Sequence, residues 1–259
     1  MLTLSLTQYA LGVIAGSAVG VSLGLIGGGG SILAVPLMIY LVGVDQPHIA
    51  IGTSALAVAT NAGMNLMNHA RRGNVKWPCA MIFALAGVIG AYVGSSVGKL
   101  VDGQRLLSMF AVLMLVVAAL MVKHRAHHAP AAISCRQSAP KLSLIGGASG
   151  ILSGFFGIGG GFLVVPGLIA ATRMPTLLAV GTSLVAVTGF GLTTAINYSI
   201  SGMVDWPLAF VFIAGGACGG VLGARLADRL SSKKGTLNLI SAATISLTAL
   251  YTLYHSITL

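Results

Sequence analysis

Apolar stretches of about 20 residues, separated by short polar breaks, recur from one end of this chain to the other. In the first half they cover Leu4 to Ile26, His48 to Met67, Trp77 to Val97 and Leu106 to Val122. A helix of that length spans the ~30 Å hydrocarbon core of a bilayer. The stretches are continuous, whereas the strands of a membrane barrel alternate apolar and polar positions over about ten residues. Of the 259 residues, 56% are hydrophobic and 7% charged, too few charges to keep the surface of a soluble domain wet. The sequence therefore predicts an all-α polytopic membrane protein whose principal partner is the lipid bilayer.

Fourteen Lys and Arg face four acids, Asp45, Asp102, Asp205 and Asp228. Such an excess of base elsewhere suggests nucleic acid. Here the bases sit between apolar segments, so they read as topology signals, and no nucleic-acid partner is expected. The opening residues MLTLSLTQYA hold no Lys or Arg and lead into no cleavage site, so the first segment is expected to be retained. Cys79, Cys135 and Cys218 share no metal or redox spacing and read as two small buried hydrophobes and one loop thiol.

A second constraint is internal duplication. GLIGGGGSILAVP (Gly24 to Pro36) returns as GFFGIGGGFLVVP (Gly154 to Pro166) at an offset of 130. After a one-residue gap, IGTSALAV (Ile51 to Val58) falls on VGTSLVAV (Val180 to Val187), Asn68 on Asn197, Gly73 on Gly202, and VKWP (Val75 to Pro78) on VDWP (Val204 to Pro207). Gly87, Gly90 and Gly94 fall on Gly216, Gly219 and Gly223. Several motifs in register mark a tandem duplication of about 125 residues.

Basic residues distinguish parallel from inverted repeats. Arg71, Arg72 and Lys76 crowd one loop, while its mate, Ser201 to Asp205, holds none. The next loop reverses the bias: Lys99, Asp102 and Arg105 nearly balance, but Arg225, Arg229, Lys233 and Lys234 outweigh Asp228. Before the GTS motif, Asp45 in one half answers Arg173 in the other. Equivalent loops are thus expected on opposite sides of the membrane. The expected organisation is two inverted-topology repeats, 1–122 and 142–259, each of about five segments with a glycine-broken helix. Between them, 123–141 forms a basic cytoplasmic linker, in a multi-pass protein of the inner membrane. The short segments, Ser31 to Val44 and Phe162 to Thr172, are too short to span a bilayer and place the glycines inside the protein.

Helix starts that follow a glycine turn below the membrane surface aim unpaired N–H groups and partial positive charge into the interior, which favours an anion. Candidate ligands are Gly29, Gly30 and Ser31 in the first element and Gly159, Gly160 and Gly161 in the second. The paired hydroxyls Thr53 and Ser54, with Thr182 and Ser183, would complete the shell, unless they return bonds to carbonyls one turn back. Asn68 and Asn197 are added as equivalent interior amides, and Asn61 and Asn65 share a face with Asn68, either lining the path or bridging helices. No acid or base falls within an apolar segment, so the embedded carboxylate of a proton or sodium carrier is missing. His48, His69 and His255 sit at segment ends and His124, His127 and His128 in the linker, positions that suit interfaces and solvent rather than proton relays or metal. No nucleophile with a base and no nucleotide loop occurs, GLIGGGGS lacking a P-loop lysine. Neither catalysis nor a cofactor is expected.

A twofold GxxGxGGGxxxVPxL-like element, each copy followed by GTS, an Asn, a Gly and a WP, resembles the TauE/SafE family of sulfite and organosulfonate exporters. The likeness runs over nearly the whole chain. It implies an inner-membrane permease that moves small sulfur-containing or carboxylate anions, such as sulfite or sulfoacetate, outward. Two other classes remain open: a thiosulfate- or sulfate-type uptake channel, which would use pore-facing thiols, and a membrane assembly factor.

Overall fold

The computed structural model describes residues 5–123, 135–159 and 161–230. They form α1 (Leu6–Ile26), a 3₁₀ stretch (Gly27–Leu33), a single turn α2 (Ala34–Pro36) and a π-helical turn (Leu37–Leu41). Then follow α3 (Pro47–Arg71), α4 (Trp77–Gly98), α5 (Gly103–Lys123), α6 (Ala139–Phe156), α7 (Gly161–Thr172), α8 (Thr176–Ile200) and α9 (Trp206–Leu230), with no strand among the described residues. Among the described residues five helices, α1, α3, α4, α8 and α9, are long and apolar enough to cross a membrane. The tenth expected segment, His255 and the linker histidines lie outside the described residues.

Polarity runs inside out. Leu85, Ile89 and Phe210 are exposed by 60% or more (62%, 70% and 66%), while Thr53, Ser54, Asn61, Thr182, Ser183 and Thr194 are each 0% exposed. Lipid, not water, suits that outer surface. Trp77 and Trp206, at equivalent positions, start α4 and α9 half-exposed, as amphipathic rings do at a bilayer interface.

Glycines set the helix pairing. Gly16 and Gly20 of α1 lie on the backbone of Phe212 and Gly216 in α9, and Gly146, Gly150 and Gly154 of α6 lie on that of Phe83, Gly87 and Ala91 in α4. Within lipid no hydrophobic drive joins helices, so such backbone approach supplies the attraction. Both pairs run parallel, and the duplication maps one pair onto the other. The central pair differs: Gly52 faces Tyr198, Gly63 faces Thr188 and Gly191 faces Ala55 and Ala59, so α3 and α8, which are equivalent helices, run antiparallel.

The two glycine elements also differ from each other. In the second repeat, α6 closes with Gly157 in the left-handed region at φ 68. Its N–H donates to the Gly154 carbonyl (3.3 Å) and the Ile158 N–H to the Ser153 carbonyl (3.2 Å), a Schellman cap. Gly159 is left-handed as well, at φ 66. A matching turn is expected in the first repeat, but Gly27 to Gly30 instead continue as a 3₁₀ coil, none of them at positive φ. The reason lies in one residue. Ile158, 1% exposed, supplies the apolar anchor that accompanies such a cap, and Gly28 stands at its equivalent position without a side chain. α7, with 12 residues and Pro166 inside it, is about 18 Å long and stays within the membrane's thickness.

The cysteine expectation is corrected. Cys79, at the start of α4, forms a disulfide with Cys135, and Cys218 is exposed on α9. Only Cys79 is a buried residue of the kind expected, and Cys135 is not a free loop thiol. Local spacing rules cannot see a pair 56 residues apart that the α4–α6 contact brings together.

Candidate functional site

Val58 and Val187 mark the middle of α3 and α8, and the second glycine element reaches both. A Cβ on Gly159 would stand 3.0 Å from Val58 Cγ1 and 3.4 Å from Val187 Cγ1. One on Gly157 would overlap the Ile51 side chain. Ile51, Ser54 and Val58 are spaced by 3 and 4, so Ser54 shares the α3 face that meets this element. Ser183 holds the same place on α8, one turn from Val187. Both serines are fully buried and donate backwards, Ser54 Oγ to the Ile51 carbonyl at 3.1 Å and Ser183 Oγ to the Val180 carbonyl at 2.7 Å.

Gly161 is buried and opens α7, whose first N–H groups have no partner within the helix. From the other repeat, Gly29 and Gly30 lie in the 3₁₀ stretch, with Gly30 pressed on the Ser22–Leu23 backbone. Ser31 is fully buried. Ile32 and Phe162 share one apolar cluster with Ile51 and Ile158, so the two elements meet inside the bundle. Gly160 lies outside the described residues.

The threonines of the GTS motifs look the other way, into the opposite repeat. Thr53 Oγ1 accepts the Asp205 N–H at 2.9 Å, and Thr182 Oγ1 accepts the Lys76 N–H at 3.1 Å. Gly52 and Gly181 admit the Met203 and Asn74 carbonyls, which a Cβ would strike. GTS and V(K/D)WP are thus two halves of one clasp, made twice. Glycine lets the loop approach, threonine takes the N–H just before the Trp-Pro helix start, and the Asp205 carboxylate caps α9 through the Leu208 N–H at 3.0 Å. Neither threonine hydroxyl has an acceptor for its proton among the described residues.

Asn197 and Asn68 are not brought to this centre. Asn197 is ten residues beyond Val187, about 15 Å along α8. Its amide donates to Ser95 Oγ (2.6 Å) and Ser96 Oγ (3.0 Å) on α4. Lys99 Nζ in turn donates to Asn197 Oδ1 (2.9 Å), the Asn197 carbonyl (3.1 Å) and Ser201 Oγ (2.8 Å), and stands 6.0 Å from the Tyr198 ring centroid. No carboxylate pairs with it among the described residues. Asn68 is half-buried toward the other end of α3. Sequence reasoning treated Lys99 as one loop charge among several. The available signal was the repeat itself, since Asp228 occupies the equivalent position and the two ends therefore differ in sign.

The family model described as "Sulfite exporter TauE/SafE" matches residues 12–252. The chain belongs to that family. A "Probable membrane transporter protein" of Xylella fastidiosa strain Temecula1 is 52% identical over 93% of each chain. "Probable membrane transporter protein YunE" of Bacillus subtilis is 30% identical over 86% of this chain and 88% of its own. A Haemophilus influenzae protein with the same transporter description is 27% identical over 88% of both. No solved structure matches. As a TauE/SafE member the chain is a multi-pass membrane transporter. Its cysteines do not suit a relay of pore-facing thiols, because Cys79 is fully buried against Cys135 and Cys218 is exposed on α9.

Proposed function

We propose that this TauE/SafE transporter is a permease for small sulfur-containing or carboxylate anions, sulfite and sulfoacetate foremost, and that it exports them across the inner membrane. The observation that carries the reading is the meeting of two buried glycine elements with hydroxyl-bearing helices at mid-depth. Unpaired N–H groups at the α7 start would hold the anion without a bound cation, and Ser54 and Ser183 would add to them only by turning their protons away from the Ile51 and Val180 carbonyls. Inverted repeats are supported by the antiparallel contact of the equivalent helices α3 and α8. The orientation follows from basic loops facing the cytoplasm.

An anion leaving an inside-negative cell gains about 2.3 kcal/mol per charge for each 100 mV, roughly a fortyfold gradient. With no carboxylate within the apolar segments, export needs no other coupling. In proteoliposomes, flux of labelled sulfite should follow an imposed potassium diffusion potential and ignore a pH step. Strict dependence on a proton gradient, with no response to voltage, would refute it.

The cysteines test the orientation. Cys79 and Cys135 lie on the face assigned to the cytoplasm, where reduction keeps adjacent thiols apart as thiols. Cells quenched with permeant maleimide before lysis should give protein alkylated at all three cysteines, the Cys79–Cys135 bond forming only on exposure to air. Alkylation at Cys218 alone would place that face outside.

A further inference from the structure

A fully buried hydrogen-bonding group without a partner is costly, and more so where lipid excludes water. On the crossing helices, the Asn61 amide on α3, at both Nδ2 and Oδ1, and the Thr194 and Tyr198 hydroxyls on α8 have no partner among the described residues, and each of the three is 0% exposed. Their positions are related. Asn61 follows Ser54 and Val58 at spacings of 4 and 3, on the α3 face that passes Gly159. One turn on, Asn65 Nδ2 donates to the Asn61 carbonyl at 2.9 Å. Thr194 stands at the repeat equivalent of Asn65, on the α8 face of Ser183 and Val187. Tyr198 lies one turn beyond it. Because α3 and α8 are antiparallel, these polar faces leave the Val58–Val187 crossing toward opposite ends of the bundle. The α8 face approaches open water, since the Tyr198 ring lies 6.3 Å from that of His48, which lines a surface cleft of ≈ 440 Å³.

The duplication supplies an internal control at the same place. The equivalent of Asn61 is Phe190, which covers Gly87 as Asn61 covers Gly216. An apolar ring therefore meets the packing need at that position, and the amide in the first repeat serves something else.

We propose that Asn61 contacts the transported anion, its Nδ2 donating as the anion passes the glycine elements, with the Thr194 and Tyr198 hydroxyls donating along the other half of the path. This rests on the anion-permease reading above. Asn61→Leu is nearly isosteric and removes only the amide. It should melt at or above the wild-type temperature in detergent, while flux in proteoliposomes falls roughly tenfold or more, the scale of one hydrogen bond to a charged partner. Thr194→Val should act in the same direction. The probes are sulfite, sulfoacetate, sulfate and thiosulfate. Full flux in both variants beside an active wild type would overturn this inference alone, and so would an Asn61→Leu protein that melts lower, because the amide would then be a packing device. Wild-type protein that moves none of the four would overturn the permease reading and this inference with it.

Discussion

Gly157→Val is expected to abolish transport and to destabilise the protein by about 2 to 5 kcal/mol. Part of that cost is conformational, since a residue with a Cβ at φ 68 pays roughly 1–2 kcal/mol in the left-handed region. The rest is steric, since the new side chain overlaps Ile51 in a closed core, and overpacking costs typically 1–3 kcal/mol. Gly73 separates the two contributions. It is equally left-handed, at φ 72, but a Cβ there meets nothing within 4 Å. Gly73→Val should therefore show only the conformational cost and keep its flux. Melting temperatures in detergent and sulfite flux in proteoliposomes, measured on both variants, decide the matter. If Gly157→Val is as mild as Gly73→Val, the cap is not the fixed centre of the second glycine element.

What was legible in the sequence follows from how local each cause is. The helices, their lipid-facing exteriors and the repeat needed only hydropathy and self-comparison. Gly87, Gly90 and Gly94 could be read as packing glycines because spacings of three and four line one face of a helix, and all three lie against the α6 backbone, at Gly146, Gly147 and Ile151. The GTS and V(K/D)WP motifs were each visible, but not their union. Nothing in the spacing of Thr53 and Asp205, 152 residues apart, says that one oxygen takes the other's N–H. Tertiary proximity likewise created the Cys79–Cys135 bond and the ring of neutral acceptors around Lys99. The first glycine run was misjudged for a different reason. Four glycines permit a turn without requiring one, and what fixes the turn in the second repeat is the side chain of Ile158. Asymmetry between copies was the most informative signal left unused, since Lys99 against Asp228 and Asn61 against Phe190 both depart from the repeat where chemistry is to be sought.

Thr53→Val and Thr182→Val test whether the clasp and the anion site share atoms. Each removes the acceptor of a loop N–H, at Asp205 or Lys76, and a buried N–H left unpaired costs about 1–3 kcal/mol. The clasps are separate, so the two losses of stability should be nearly additive in the double variant, the larger at Thr53, whose bond is buried where that of Thr182 is part-buried. Neither hydroxyl proton has an acceptor among the described residues, and donation to a charged partner is worth about 1.5–3 kcal/mol. Sulfite affinity should accordingly weaken by roughly 10- to 150-fold in each Val variant. Serine keeps both the acceptor and the proton, so Thr53→Ser and Thr182→Ser should retain affinity and most of the stability. Binding to purified protein, read beside melting temperature, separates the two contributions. Valine variants that lose stability but bind sulfite as the wild type does would confine the threonines to the clasp. The anion would then be held by the α7 start with Asn61 and Thr194, and with no donor from either clasp.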